Sequence, residues 1–420
     1  MITEEWLKSL RLEDRKSPEF IRSGDDLRGI PHGALIQKSF DELELAGMHC
    51  ISGVPSIAFL VLQSIDQNHI DKVHKSLWNQ GLATLLLVIT NNTLRAYSLS
   101  HLPTPDHKKS DKLVKVFDLL NDALEIKNLV LGMESGRFVN EHQKKFDSKY
   151  RVDQVLLVNL ESTVKHLVAK NMRLESAQAL LMQIMFIAYL EDKKIINDEY
   201  FRTGTNNQEI NSLISLLGNG GVKEFNKLFN LLKEHFNGDL FVAPCSFDID
   251  EEPEEITKEQ IKILSEFRAG NIDLSSGQFQ FWPYDFKFIP IDLISAVYDR
   301  FLGFDPASKR ESGAYYTPMF LADLVAEQAW SELSDKQKID GHFVDPSCGS
   351  GIFLVRMFEK MIDEWRFQNR KQHPTWPALK AMISRIHGFD IKKEAVRVAA
   401  FSLYIALLEN LRPAEILSLM

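Results

Sequence analysis

The sequence predicts an α/β protein in three parts: a small α/β unit over residues 1–115, an all-α stretch over 116–308, and the start of a parallel α/β sheet over 309–420. Three observations predict it. Compact apolar runs flank a single amphipathic helix between residues 56 and 99. Apolar residues recur at helical spacing over Val152–Val168 and Leu174–Leu190. Beyond residue 309 the pattern becomes loop, helix, strand, glycine-rich turn, helix, strand, helix. A chain of 420 residues is also too long for one ordinary core, which suggests two or three domains.

In chain order, Ser56–Leu62 (Ser-Ile-Ala-Phe-Leu-Val-Leu) reads as a buried strand. Asp66–Asn79 reads as a helix with Ile70, Val73, His74 and Leu77 on one face, broken by Gln80-Gly81. Leu85–Thr90 is a second buried strand, Asn91-Asn92 a turn, and Leu94–Leu99 the returning strand. His101–Ser110 is polar, holds Pro103 and Pro105, and reads as a linker. The stripe Leu180, Leu181, Ile184, Met185, Ile187, Ala188 reads as the core of a helical region. Asn206–Gly221 contains a Gly-Asn-Gly-Gly break, and Asp248–Glu255 is an acidic loop with Pro253. Helices resume at Lys258 and Ile291. The chain has no internal repeat and no low-complexity tract.

Composition narrows the function classes. Hydrophobic residues are 45% and charged residues 25% of the chain, an ordinary globular balance. Met1–Arg15 lacks the apolar core of a signal peptide. No apolar run reaches membrane-spanning length, and the strongest, Ala177–Leu190, contains Gln183. The expected location is therefore cytoplasmic, with no membrane partner. The three cysteines Cys50, Cys245 and Cys348 match neither a metal spacing nor a disulfide framework, so no metal is expected. A net charge of −9 argues against nonspecific coating of nucleic acid but leaves room for a local basic groove. The basic clusters are Lys108, Lys109, Lys112, Lys115; Lys144, Lys145, Lys149, Arg151; and Arg366, Arg370, Lys371. Each reads first as a solvated face.

The chemistry concentrates in the last 110 or so residues, in three features. In Gly313-Ala314-Tyr315-Tyr316-Thr317-Pro318, Pro318 suits the first position of a helix running from about Met319 to Leu333. The N–H groups at that helix start, beside a hydroxyl, suit a carboxylate. Alone, this is an ordinary helix start. Next, His342-Phe343-Val344-Asp345-Pro346-Ser347-Cys348-Gly349-Ser350-Gly351 combines an apolar strand, an acid and a small-residue loop before a helix over Ile352–Trp365. Such a loop lets backbone approach a ligand closely. It is neither the three-glycine dinucleotide fingerprint nor a phosphate-binding loop followed by Lys-Ser/Thr. Last, Ile386-His387-Gly388-Phe389-Asp390-Ile391 reads as a second strand ending in an acid, then a helix through Leu408. An acid there can accept from both ribose hydroxyls, or simply cap a helix. Its distance from Gly351 exceeds the ~20 residues of dinucleotide folds. A stretch inserted around Pro374–Pro377 accounts for the excess.

Together, in this order, the motifs resemble those of the gamma-type adenine-N6 DNA methyltransferases of restriction–modification systems, both type I modification subunits and type II combined polypeptides. The resemblance is specific over Tyr315–Leu408 and looser over Phe186-Ile187-Ala188-Tyr189-Leu190-Glu191-Asp192 and Leu302-Gly303-Phe304. It implies a Rossmann-like, S-adenosylmethionine-dependent methyltransferase domain beginning near residue 309, preceded by a helical domain. It implies that Tyr316, Thr317 and Pro318 lie against the methionine end of the cofactor and that Asp345, Pro346, Gly349 and Gly351 form the loop beneath it. Asp390 is implied to hold the ribose and Ile391 to pack on the adenine. His342, Ser347 and Cys348 receive no role, and Cys348 reads as a small apolar filler.

The family's catalytic signature, Asn- or Asp-Pro-Pro-aromatic, does not occur in these residues. Asp345-Pro346-Ser347 and Trp282-Pro283-Tyr284 do not match it. That signature accepts the adenine amine's two hydrogens, frees its lone pair for methyl transfer and stacks on the flipped base. The expectation is a truncated chain or half of a split enzyme, with no catalytic residue of its own and no methyl transfer alone. The partners implied are double-stranded DNA, through the full-length protein, and a specificity or nuclease subunit. One alternative is a non-catalytic, cofactor-binding scaffold that assembles with a partner chain. Another is a nuclease in the N-terminal unit, which needs an acid followed by Glu-x-Lys on adjacent strands. Phe59-Leu60-Val61-Leu62-Gln63 carries no acid, and Glu42 and Glu44 lack the lysine.

Overall fold

The computed structural model describes residues 2–27, 30, 32–51, 53–103, 112–236, 254–270, 282–302, 317, 319–369, 373–411 and 415–416. It is a mixed α/β chain with a central sheet and many helices. Its contacts divide it into two compact units, Met1–Val155 with Pro283–Pro290, and Leu156–Trp282 with Ile291–Met420.

The first unit holds a six-stranded sheet: β1 (Phe20–Arg22), β2 (Gly47–Ile51), β3 (Val54–Val61), β4 (Leu85–Ile89), β5 (Thr93–Ser98) and β6 (Leu113–Asp118), in that spatial order. The β3/β4 pair is parallel and the other neighbours are antiparallel. A parallel pair needs a crossover, and here it is a helix. Its helices are α1 (Glu4–Ser9), α2 (Gly33–Leu43), the crossover α3 (Gln67–Gln80), α4 (Ala123–Glu134) and α5 (Arg137–Glu141). The apolar runs of β3 and β4 have both faces buried. Ile57, Phe59, Leu85 and Leu87 pack with Trp6, Ile126 and Leu129 from α1 and α4. Ala58, Leu60, Leu86 and Val88 pack with Ile36, Phe40, Ile70 and Val73 from α2 and α3. This two-sided burial is why these strands read as continuous apolar runs rather than alternating ones.

The expected strand–helix–strand–turn–strand order is present as β3, α3, β4 and β5. Asp66 caps α3 by accepting from the His69 N–H at 3.2 Å, and Gly81 ends it at φ +66°. Sequence reading missed β1, β2 and β6. β1 has three residues, and β2 carries His49 in its middle. His49 is buried because its Nε2 bonds Glu134 Oε1 at 3.0 Å, and Glu134 also pairs with Arg15. These partners lie far apart in sequence. Lys112, expected on a solvated face, instead lies at 3% exposure, paired with Asp71 Oδ1 at 2.5 Å. The other described cluster lysines and arginines include Lys149 paired with Asp147, Arg151 with Asp153 and Arg366 with Asp363. Lys108, Lys109, Arg370, Lys371 and Cys245 lie outside the described residues. Glu42 sits in α2 and pairs with Lys287 at 2.5 Å, Glu44 follows that helix, and β3 carries no acid.

The second unit is built largely of helices: α6 (Val152–Ala169) from Leu156 onward, α7 (Leu174–Asp192), α8 (Asp198–Thr205), α9 (Leu213–Asn219), α10 (Val222–His235), α11 (Lys258–Arg268), α12 (Ile291–Leu302), α13 (Met319–Ser331), α14 (Asp335–Asp340), α15 (Ile352–Gln368), α16 (Trp376–Ile383) and α17 (Lys393–Glu409). Every residue of α7 from Ser176 to Leu190 is buried, so this helix is enclosed all round. A two-stranded parallel sheet joins β7 (Phe343–Asp345) to β8 (Ile386–Gly388), with Phe343 opposite Ile386 and Asp345 opposite Gly388. The expected helix–strand–turn–helix–strand–helix order is present as α13, β7, α15, β8 and α17. Two short helices, α14 and α16, are added. α16 carries Pro377 in its first turn and occupies the stretch that lengthens the path to Asp390. Among the described residues, no helix is long and apolar enough to cross a membrane.

Candidate functional site

The parallel pairing of β7 and β8 brings their carboxyl ends side by side. The segments that follow are then tied together by main-chain hydrogen bonds. The Phe389 N–H donates to the Asp345 carbonyl at 2.9 Å, and the Cys348 N–H returns a bond to the Phe389 carbonyl at 2.9 Å. The Gly349 N–H donates to Asp390 Oδ2 at 3.0 Å, and the Lys392 N–H to Asp390 Oδ1 at 2.9 Å. The loop closes on itself through the Gly351 N–H to the Cys348 carbonyl at 2.8 Å, and α15 starts at the next residue. Asp345, Gly349, Gly351 and Asp390 thus form one constellation.

Each glycine has its own reason. Gly349 is at φ +51° with open space where a side chain would start, so its constraint is conformational. Gly351 is at φ +84°, and a Cβ there would meet Ala399 Cα and Cβ at 2.8 Å. Gly388, on the neighbouring strand, lies against Leu354 and Cys348. An added Cβ would approach Leu354 Cδ1 to 2.6 Å and Cys348 Sγ to 3.1 Å. The loop is held from below as well. Ser402 Oγ on α17 lies 3.2 Å from the Ser350 carbonyl and 2.5 Å from Ser295 Oγ on α12, and all three serines are buried.

The two carboxylates differ. Asp345 Oδ1 accepts from the Ser347 N–H at 3.0 Å. Its Oδ2 is buried and has no hydrogen-bond partner among the described residues. A buried acceptor without a donor is costly, so this oxygen is a candidate to receive one from a ligand. Asp390 is held below the usual carboxylate range, chiefly by the Lys392 N–H; burial opposes this, and the N–H groups of Gly349 and Ile391 add to the lowering. It is therefore ionised at neutral pH. Burial, with Asp345 and Asp390 nearby, pushes the Cys348 thiol up to about 11. A thiol so disfavoured from ionising is a filler beneath the loop and not a nucleophile.

Of the other residues picked out from sequence, Thr317 is half-buried just before α13, while Tyr316 and Pro318 lie outside the described residues. Pro346 is exposed in the loop, and Ile391 is fully exposed beside Asp390. His342 and His387 are both exposed and meet at 3.0 Å, Nδ1 to Nε2. Sequence reasoning missed Gly388, Ala399 and Ser402 as parts of the site. Gly388 stood inside a motif already noted. Ala399 and Ser402 are ordinary helix residues whose importance comes from what they touch. Among the described residues, no group of three or more His, Cys, Asp or Glu is placed to hold a metal ion.

Residues 290–412 match the family model described as N-6 DNA Methylase. Over 113 residues, 26% of this chain, the sequence is 25% identical to an adenine-specific methyltransferase, PglX, of Streptomyces coelicolor, and the match covers 9% of that protein. A solved structure titled as a cryoEM DrdV–DNA complex aligns with 91% of this chain and 36% of its own at 12% identity, with a TM-score of 0.28. This chain therefore spans only a minor part of either protein.

Proposed function

We propose that this chain holds S-adenosylmethionine for an adenine-N6 DNA methyltransferase of the gamma type, within a restriction–modification or related defence system. Residues 309–420 form the N-terminal part of its methyltransferase domain. The carrying observation is the single constellation of Asp345, Gly349, Gly351 and Asp390, tied across two parallel strand ends inside the segment that matches the N-6 DNA methylase family. The site's chemistry suits the cofactor. An ionised Asp390 and a buried, unpartnered Asp345 oxygen offer acceptors to an amine and to vicinal hydroxyls. The start of α15, where Gly351 supplies no side-chain cap, suits a carboxylate.

When bound, the cofactor supplies a methyl group made electrophilic by its sulfonium. The chain's own part is to bind and orient it. Asp345, Pro346, Gly349 and Gly351 shape the floor under the methionine moiety, with Thr317 beside it. Asp390 accepts from the ribose hydroxyls, and Ile391 offers its exposed face to the adenine. We assign no catalytic residue and no metal to this chain. Its substrate, through the full-length protein, is adenine in double-stranded DNA. A specificity or nuclease subunit is a further partner, and the cytoplasm its location.

Isothermal calorimetry tests the proposal. Titrating S-adenosylmethionine into the purified chain should give saturable one-site binding that Asp390→Ala weakens at least tenfold, the loss of about one charge-assisted hydrogen bond. Binding equally tight in the variant would remove the constellation from the site.

A further inference from the structure

We infer that Asp390 is a positioning residue for the glycine loop, holding Gly349 in place before any cofactor arrives, in addition to the ligand contact assigned to it above. The cofactor-facing part of this inference rests on the proposed function; the loop-holding part does not.

The loop between Asp345 and α15 carries two left-handed glycines, Gly349 and Gly351. Glycine loses more conformational freedom on ordering than any other residue, so such a loop needs ties to keep one shape. Gly351 has one, since it is wedged against Ala399. Gly349 does not: nothing lies within 4 Å of the position its Cβ would take. Its tie is the hydrogen bond from its N–H to Asp390 Oδ2, at 3.0 Å. Asp390 is itself fixed, because its other oxygen accepts from the Lys392 N–H at the start of α17, and the Phe389 backbone beside it is bonded both ways to the loop. A carboxylate has about four acceptor positions, so these two bonds leave room for a ligand's hydroxyls. The carboxylate thus joins the glycine loop to the second strand, and the ligand meets a loop already in place. Removing it frees Gly349 even when no ribose is present.

The test has two arms. Amide exchange is measured at single-residue resolution by NMR on the cofactor-free chain, for the wild type, Asp390→Ala and Asp390→Asn. The Gly349 amide should exchange roughly ten- to a hundredfold faster in Asp390→Ala, as for loss of a hydrogen bond to a charged group. Amides of α15 and α17 should keep their protection, which separates loss of the tie from unfolding. Asp390→Asn offers one oxygen for two N–H groups, so its Gly349 rate should fall between the other two. Unchanged exchange at Gly349 in Asp390→Ala overturns the inference.

In the second arm, calorimetry compares S-adenosylmethionine with an analogue lacking both ribose hydroxyls. If Asp390 also acts through the loop, Asp390→Ala weakens binding of the analogue by at least about threefold, a modest hydrogen bond's worth. A loss seen with S-adenosylmethionine and absent with the analogue means that Asp390 acts on the ribose alone, and overturns the positioning role toward ligand. Should the wild type bind neither compound, the cofactor reading fails, while the exchange arm still decides whether Asp390 holds the loop.

Discussion

Replacing Gly351 by alanine tests the packing of the site, with Gly349→Ala as its control. Both glycines have positive φ, +84° and +51°. Alanine in that region costs about 1–2 kcal/mol, and the lower entropy of its unfolded chain returns roughly 0.4–1 kcal/mol. Gly349→Ala adds a Cβ to open space, so its net cost should stay near ~1 kcal/mol. At Gly351 the new Cβ would also stand 2.8 Å from both Ala399 Cα and Ala399 Cβ. Backbone cannot swing aside as a flexible side chain can, and overpacking of this kind costs about 1–3 kcal/mol more. Gly351→Ala should therefore be the less stable variant by about 1–3 kcal/mol. Urea unfolding followed by circular dichroism measures the difference, and calorimetry with S-adenosylmethionine should rank the two variants in the same order. Equal stability within about 0.5 kcal/mol would mean that α17 yields to the new methyl group. The close approach of Gly351 to α17 would then not constrain the loop.

Two buried polar groups of the six-stranded unit and the thiol beneath the glycine loop give further tests. Burial, with Lys112 nearby, lowers His74 to about 3 from 6.5, so it is neutral when folded. The unfolded chain takes up the proton first as pH falls. The stability tied to this residue is full above about pH 6.5 and is lost as pH drops toward 3, amounting to roughly 2 kcal/mol by pH 5. Urea midpoints at pH 7, 6 and 5 should show this slope, and His74→Gln should flatten it; an unchanged slope would assign the acid sensitivity elsewhere. Lys112→Met leaves Asp71 without its buried cation and should cost about 2–3 kcal/mol, below the full buried-pair range because Asp71 is partly exposed. A thermal shift indistinguishable from wild type would contradict the pairing. With its thiol pushed up to about 11, Cys348 is ionised to roughly one part in a thousand at pH 8. Maleimide labelling followed by peptide mapping should find it slow in the folded chain and fast in urea, and fast labelling in both would refute its burial.

The legibility of the fold varied with how local its causes are. α3 was readable to within a residue because Asp66 and Gly81 mark its ends and Ile70, Val73, His74 and Leu77 share a face. α15 and α17 were readable from their apolar residues after a small-residue loop and a strand, without a side-chain cap at either start. β2 was not, since its signal is broken by His49, whose burial depends on Glu134 and Arg15. Lys112 looked like part of a surface cluster because its partner, Asp71, lies 41 residues away. In the site, the acids and glycines stood out as types. That Gly349 and Asp390 are bonded to each other did not.

What the sequence determined by itself was therefore the set of elements with strong local periodicity and the residue types at the two strand ends and the glycine loop, Asp345, Gly349, Gly351 and Asp390. Helix caps, apolar runs and left-handed glycines act over a few residues, and their physics is written where they stand. The tertiary structure decided which of these residues meet. It placed two strand ends side by side, gave Gly351 its constraint from Ala399, and left Asp345 Oδ2 buried without a donor. Such facts depend on the parallel pairing of segments more than 40 residues apart, and no local pattern encodes the distance between them.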